Sequence, residues 1–171
     1  MRHTVCLLVE NKPRVMQRVV GVIAKRGYNI ESIAVGPTEM EDISRITLIL
    51  NGDDKVLEQV TKQMNKLIDV IKVSDIKPEE SILRELCLVK VGAKNAADRG
   101  EVMRCSELFG ARIIDVSPET VTIELSSSED NVGSMVRMLR SYGIKEVVRT
   151  GVAAISKGSG ATSVTQAKGG V

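Results

Sequence analysis

The chain has 171 residues, 43% of them hydrophobic and 27% charged, which suits a soluble globular protein of one domain or two small ones. Its 24 basic and 22 acidic residues divide as 12 against 10 in residues 1–77 and 12 against 12 in residues 78–171, so neither half has the basic surplus that draws nucleic acid or an acidic membrane. No stretch approaches the roughly 20 apolar residues of a membrane span. The apolar run near the start is too short for a signal peptide, and a cytoplasmic location is expected.

Residues 4–9 form a continuous apolar run between polar residues, the pattern of a central strand. Asn11 stands where it can cap a following helix, its side-chain oxygen taking a free backbone N–H. Pro13 suits the first turn, where a missing N–H does no harm. Met16, Val19, Val20 and Ile23 then share one helical face, with Gln17, Arg18, Lys25 and Arg26 off it. Gly27 is the expected left-handed stop. Residues 28–36 return as a strand, 37–42 are a polar connection, and the β-branched run 43–50 pairs back as a hairpin. Asn51, Gly52, Asp53 and Asp54 make a turn into a helix cap. The next helix puts Val56, Val60, Met64 and Leu67 on one face, and 69–76 is a fourth strand. Strand, helix, strand, strand, helix, strand is the split βαβ, ferredoxin-like order. It is an α+β fold with two helices on one face of a sheet.

Residues 77–81 (KPEES) are a short polar linker, after which the order recurs more weakly. Residues 83–91 are a strand in which LCLVKV echoes VCLLVE. Val102, Cys105, Ser106 and Phe109 follow at helical spacing, Gly110 stands where Gly27 stood, and GARIIDV echoes GYNIESI. Residues 121–125 are a strand, and Ser126, Ser127 and Ser128 cap a helix with Val132, Met135, Val136 and Leu139 on one face. Gly143 stops it, and 144–150 is the last strand expected. The expected division is a unit over 1–77, a second βαββαβ unit over 82–156, and a Gly-, Ser- and Lys-containing tail, 157–171, that reads as disordered. A core of roughly 75 residues is marginal. A one-sided sheet also leaves edges that invite pairing with another copy, so a dimer is expected.

Aromatic residues are only Tyr28, Phe109 and Tyr142, so the core has to be aliphatic. Cys6, Cys87 and Cys105 show no CxxC spacing and sit in apolar runs, as small buried hydrophobes in a reducing compartment would. A lone His3 makes neither a Ser/His/Asp site nor a histidine metal cluster. There is no P-loop and no GxGxxG at a strand–helix junction. No catalytic residue and no metal ligand is assigned. The same strand order builds the RNA-recognition fold, whose central strands stack bases on aromatics. The corresponding TVCLLV and ISRITLIL hold none.

What remains is a small-molecule binding module. An amino acid needs donors for its carboxylate and acceptors for its ammonium, and a helix N-terminus supplies free N–H groups and a positive dipole end. The loop Asn11, Lys12, Pro13, Arg14, Val15 is such a place, and Asn29 could add a carbonyl and an amide from a neighbouring copy. A plainer alternative also fits the spacing: Asn11 is only a cap and Asn29 only a post-helix turn residue.

NKPxV, RVVG, KRGYNIESIAVGPT, SRITL, QVTKQMNKL followed by DVIKV, and later RELCLVKV and IIDVSPETV resemble the small, regulatory subunit of acetolactate synthase (acetohydroxyacid synthase) over about residues 3–157. The resemblance implies an N-terminal ACT domain, a ferredoxin-like effector module, and a C-terminal ACT-like domain. It implies a homodimer binding a branched-chain amino acid, usually valine, between ACT domains. It further implies a large catalytic subunit carrying thiamine diphosphate, Mg and FAD, which this non-catalytic chain activates and places under feedback control, with no cofactor of its own. Carried over by motif, Asn11, Lys12, Pro13, Arg14 and Val15 hold the effector from one chain, and Asn29 and Ile30 from the other. The family pattern is usually N-K-P-G-V, whereas here the fourth residue is Arg14, a long cation where glycine lets backbone approach a ligand. Arg14 either blocks the effector or reaches out to its carboxylate; weakened or abolished valine feedback with activation intact is the expectation, and a positive φ at Arg14 is a feature to look for. The alternative function is a free-standing ACT-type amino-acid sensor with no enzyme partner.

Overall fold

The computed structural model describes residues 1–162. The described chain divides into two compact units, the first made of Met1–Ile82 together with residues 152–162, the second of Leu83–Gly151.

The first unit runs β1 (Arg2–Glu10), α1 (Val15–Ala24), β2 (Ile30–Pro37), β3 (Ile43–Asn51), α2 (Asp54–Met64) and β4 (Val70–Asp75). Its strands lie in the order β2-β3-β1-β4, every neighbour antiparallel. β1 is central, which is why its apolar run is unbroken. Val5, Leu7 and Val9 of β1 and Ile46, Leu48 and Leu50 of β3 face Val15, Val19 and Ile23 of α1 and Val60 and Met64 of α2. All are buried, and each such side chain contributes roughly 1.5–3 kcal/mol relative to exposure. Gly27 takes the left-handed conformation expected of it, at φ 71, but α1 itself ends earlier, at Ala24 with Lys25 as C-cap, and Gly27 turns the chain toward β2.

The second unit repeats this plan with β5 (Ser81–Gly92), α3 (Ala96–Phe109), β6 (Arg112–Val116), β7 (Thr120–Ser127), α4 (Glu129–Leu139) and β8 (Ile144–Arg149), in the order β6-β7-β5-β8. The correspondence reaches single bonds. Glu10 N–H donates to Asp69 O at 2.9 Å, and Gly92 N–H to Gly143 O at 3.0 Å. Asn11 N–H donates to Asp42 O at 2.7 Å, and Ala93 N–H to Glu119 O at 2.8 Å. The register shift after Leu8 recurs after Lys90, and that after Ile30 recurs after Ile113. The second core is Cys87, Val89 and Val91 of β5 and Val121, Ile123 and Leu125 of β7 against Val102 and Cys105 of α3 and Val132, Met135 and Leu139 of α4. All three cysteines are buried and free, and burial pushes each thiol's pKa up.

One strand was not expected. After β8, Gly151 turns the chain at φ 79 and β9 (Ala153–Ser156) forms, paired with β5. Lys157 N–H donates to Glu80 O at 2.8 Å. The disorder expected of the tail falls, for residues 163–171, outside the described residues.

Candidate effector site at the mouth of the first helix

Asn11, Lys12, Pro13, Arg14 and Val15 form one continuous loop from the end of β1 into α1. The cap differs from expectation. Asn11 does not cap the helix, and Pro13 is not in its first turn. The N-cap residue is Arg14, at φ 72 and ψ −5, and it makes no side-chain cap bond. The reason is a turn inserted before the helix. Val15 N–H donates to Lys12 O at 3.4 Å, and Arg14 has the dihedrals of the third position of a type II turn, whose second position Pro13 suits. Starting at Val15 also shifts the buried stripe to Val15, Val19 and Ile23, leaving Met16 and Val20 only partly covered. Arg14 is the one non-glycine residue at positive φ among the described residues. A side chain in that region costs about 1–2 kcal/mol.

The amide of Asn11 is used otherwise. Its Nδ2 donates to Glu41 O at 3.3 Å, and its backbone N–H to Asp42 O. The β2–β3 connection thus holds the loop from behind, a support no spacing in the sequence announces. That bond leaves Oδ1 of Asn11 as a free acceptor. Lys12 is exposed, and its Nζ lies 2.8 Å from Glu10. The hydrogen bond with Glu10, and then its charge, raise the Lys12 pKa. A further pair, Arg18 with the buried Asp69, braces α1 against the start of β4.

The helix mouth itself is open. α2 is capped by Asp53, whose side chain accepts from Val56 N at 2.9 Å. α3 is capped by Asn95, accepting from Asp98 N at 2.8 Å, and α4 by Ser128, accepting from Asn131 N at 3.4 Å. Each of these three also has an acidic residue in its first turn, and α1 has none. Among the described α-helices only α1 keeps its terminal N–H groups and positive dipole end without a side-chain acceptor.

Asn29 and Ile30 lie elsewhere. Asn29 is exposed just beyond the far end of α1, and Ile30 packs on the first core. Ile30 pairs with Leu50, which also pairs with His3. From His3 to Asn11 the sheet runs roughly 26 Å at a strand's rise per residue. One chain therefore does not bring Asn29 to Asn11.

A protein of the ACT class, built on ferredoxin-like units, is what this fold defines. Residues 6–72 match the model described as AHAS small subunit-like ACT domain. Residues 84–158 match the family described as the small subunit of acetolactate synthase. The chain is 51% identical to a protein of Archaeoglobus fulgidus named a probable acetolactate synthase small subunit, over 93% of this chain and 99% of that one. It is 44% identical to the acetolactate synthase small subunit of Mycolicibacterium smegmatis, over 91% of each chain. The crystal structure of the small subunit from Thermotoga maritima superposes with a TM-score of 0.87 at 38% identity, covering 94% of this chain and 99% of that one. The chain belongs to the acetolactate synthase small-subunit family.

Proposed function

We propose that this chain is a non-catalytic regulatory subunit that activates a thiamine diphosphate-dependent acetolactate synthase large subunit and places it under feedback control by valine or another branched-chain amino acid. The observation that carries the proposal is the uncapped mouth of α1. Its free N–H groups suit the effector's carboxylate, and the free Oδ1 of Asn11 suits the ammonium. Asn29 and Ile30 of a second copy complete the pocket from the other side. The homodimer this requires is supported by β2, an edge strand whose Ile33 and Val35 are 36% and 52% exposed. Thiamine diphosphate, Mg and FAD belong to the large subunit, and none is proposed on this chain.

Arg14 sets the strength of the response. Its side chain projects from the cap position of that mouth, so valine binds weakly and feedback is blunted while activation of the partner persists. Reconstitution with the large subunit tests the whole proposal. Activity should rise several-fold on adding this chain and fall only at high valine, and Arg14→Gly should make inhibition appear at lower valine. Failure of the large subunit to co-purify would favour a free-standing sensor. Micromolar valine binding by calorimetry that Arg14→Gly abolishes would reverse the role given to Arg14.

A further inference from the structure

The outward face of the first sheet, turned away from its helices, is tied to residues 152–162. Side chains alternate along a strand, so Cys6 and Leu8 of β1 and Thr47 and Ile49 of β3 lie opposite the core set. All four are at most 3% exposed. Ser32 and Arg45 belong to the same outward face, Ser32 paired with Ile49 and Arg45 with Leu8.

Both hold the terminal segment. Val152 N–H donates to Ser32 Oγ at 2.9 Å. Arg45 donates from Nη2 to Ala154 O at 2.7 Å and from Nη1 to Thr162 O at 3.5 Å. Beyond the opposite edge, Lys157 donates from its backbone to Glu80 O at 2.8 Å and from Nζ to Glu79 O at 3.0 Å. The anchors thus run from β2, across β3, to the residues that follow β4. Three interstrand gaps span roughly 14 Å, which the extended chain from Val152 to Lys157 can bridge at about 3.3 Å per residue.

We propose that residues 152–162 are a detachable clasp, hinged at Gly151 and hung on Arg45, that closes the outward face of the first sheet and can open without unfolding it. The attachment is small for the area it shields: besides these hydrogen bonds, the four-residue β9 pairs with β5, so opening releases that short ladder as well. Val152 and Ala154 are its buried apolar side chains, while Ala153 and Ile155 point to solvent. Glycines at positive φ stand at Gly151 and Gly158, giving a pivot at one end and a turn near the other. The strands beneath are held by full antiparallel ladders and do not depend on it. Opening bares an apolar strip beside β2 and frees Ser32, two residues from Ile30. The clasp is a device for switching that face, whatever molecule occupies the mouth of α1.

The three buried cysteines supply the test in the full-length protein. Cys6 is fully buried on the outward face of the first sheet, paired with Thr47, and Cys87 and Cys105 lie in the second unit's core. Pulsed alkylation with N-ethylmaleimide under native conditions, read by peptide mass spectrometry, gives a rate for each. Arg45→Ala should speed labelling of Cys6 about tenfold with Cys87 unchanged, as expected of a local opening, and Arg45→Lys should fall between. The bias runs against this result, because the Arg45 charge lowers the Cys6 thiol pKa and its loss alone would slow labelling. An unchanged Cys6 rate, or one that rises in step with Cys87, overturns the clasp. Hydrogen exchange of the unaltered protein is the independent arm. The amides of Val152 and Lys157 should exchange at least about tenfold faster than those of β3, and equal protection would overturn it as well.

Discussion

The two units share a plan down to single hydrogen bonds and part company at the strand-to-helix loop. Where the first has Asn11, Lys12, Pro13 and Arg14, the second has Ala93, Lys94 and Asn95. Ala93 is fully buried where Asn11 is exposed. Asn95 closes the helix with its own side chain, and its Nδ2 also meets Asp98 at 2.8 Å. The second unit then adds Arg99, which donates to the carbonyls of Ser117 and Pro118 and locks the facing hairpin. A duplicated fold has thus been finished in two ways. In one copy the helix mouth is sealed by the chain's own groups. In the other it is left open, with a strained Arg14 and an unmade cap. The same scaffold seals or exposes a helix N-terminus according to three or four loop residues.

That contrast can be attacked first where the second unit is locked hardest. Glu85 is buried, its side chain only 2% exposed, and it is held by Arg149, which donates from Nε at 3.0 Å and again from Nη2. The hydrogen bond to Glu85 raises the Arg149 pKa, so the cation stays charged throughout the usable range. Arg149→Met leaves a carboxylate buried without a partner and should cost about 3 kcal/mol in urea denaturation. The double change with Glu85→Leu should recover much of it. Arg18→Met in the first unit should cost less, because Asp69 keeps 12% of its side-chain exposure and can reach water.

The two asparagines give the next comparison. Asn95→Ala removes a true cap and should destabilise the second unit by about 1 kcal/mol. Asn11→Ala removes one exposed 3.3 Å bond to a carbonyl and should change stability by under about 0.5 kcal/mol. Its effect should appear instead in calorimetry, as lost amino-acid binding. Equal stability losses would mean the loops differ less than their geometry implies.

Part of this contrast could be read from residue order, and part could not. Apolar spacing and the glycines at 27, 110 and 143 mark the helices and their ends, because periodicity and φ > 0 are local demands. The echo of GYNIESI in GARIIDV marks the duplication. The helix start was misplaced because Asn11 and Pro13 both look like N-terminal signals. The type II turn that displaces them depends on Arg14 accepting a conformation its side chain disfavours. The return of residues 152–162 to the first unit is invisible in the sequence for another reason. A Gly-, Ser- and Lys-containing segment has no period of its own, and its order comes from the pairing of β9 with β5 and from Arg45 and Ser32, more than a hundred residues away.

The smallest effect is the most diagnostic. Arg14→Gly relieves about 1 kcal/mol of left-handed strain but adds backbone freedom to the unfolded chain worth roughly 0.5–1 kcal/mol. The two nearly cancel, so the net stability change should lie within about 0.5 kcal/mol of zero. Arg14→Ala keeps the strain while removing the cation, and should be no more stable than the parent. Comparing the two by denaturation and by valine calorimetry separates backbone from charge. If glycine and alanine raise affinity alike, the guanidinium was the obstacle. If only glycine does, the strained turn was holding the mouth of α1 in the wrong shape, and the openness of the first unit would be a matter of backbone conformation rather than of what stands in the way.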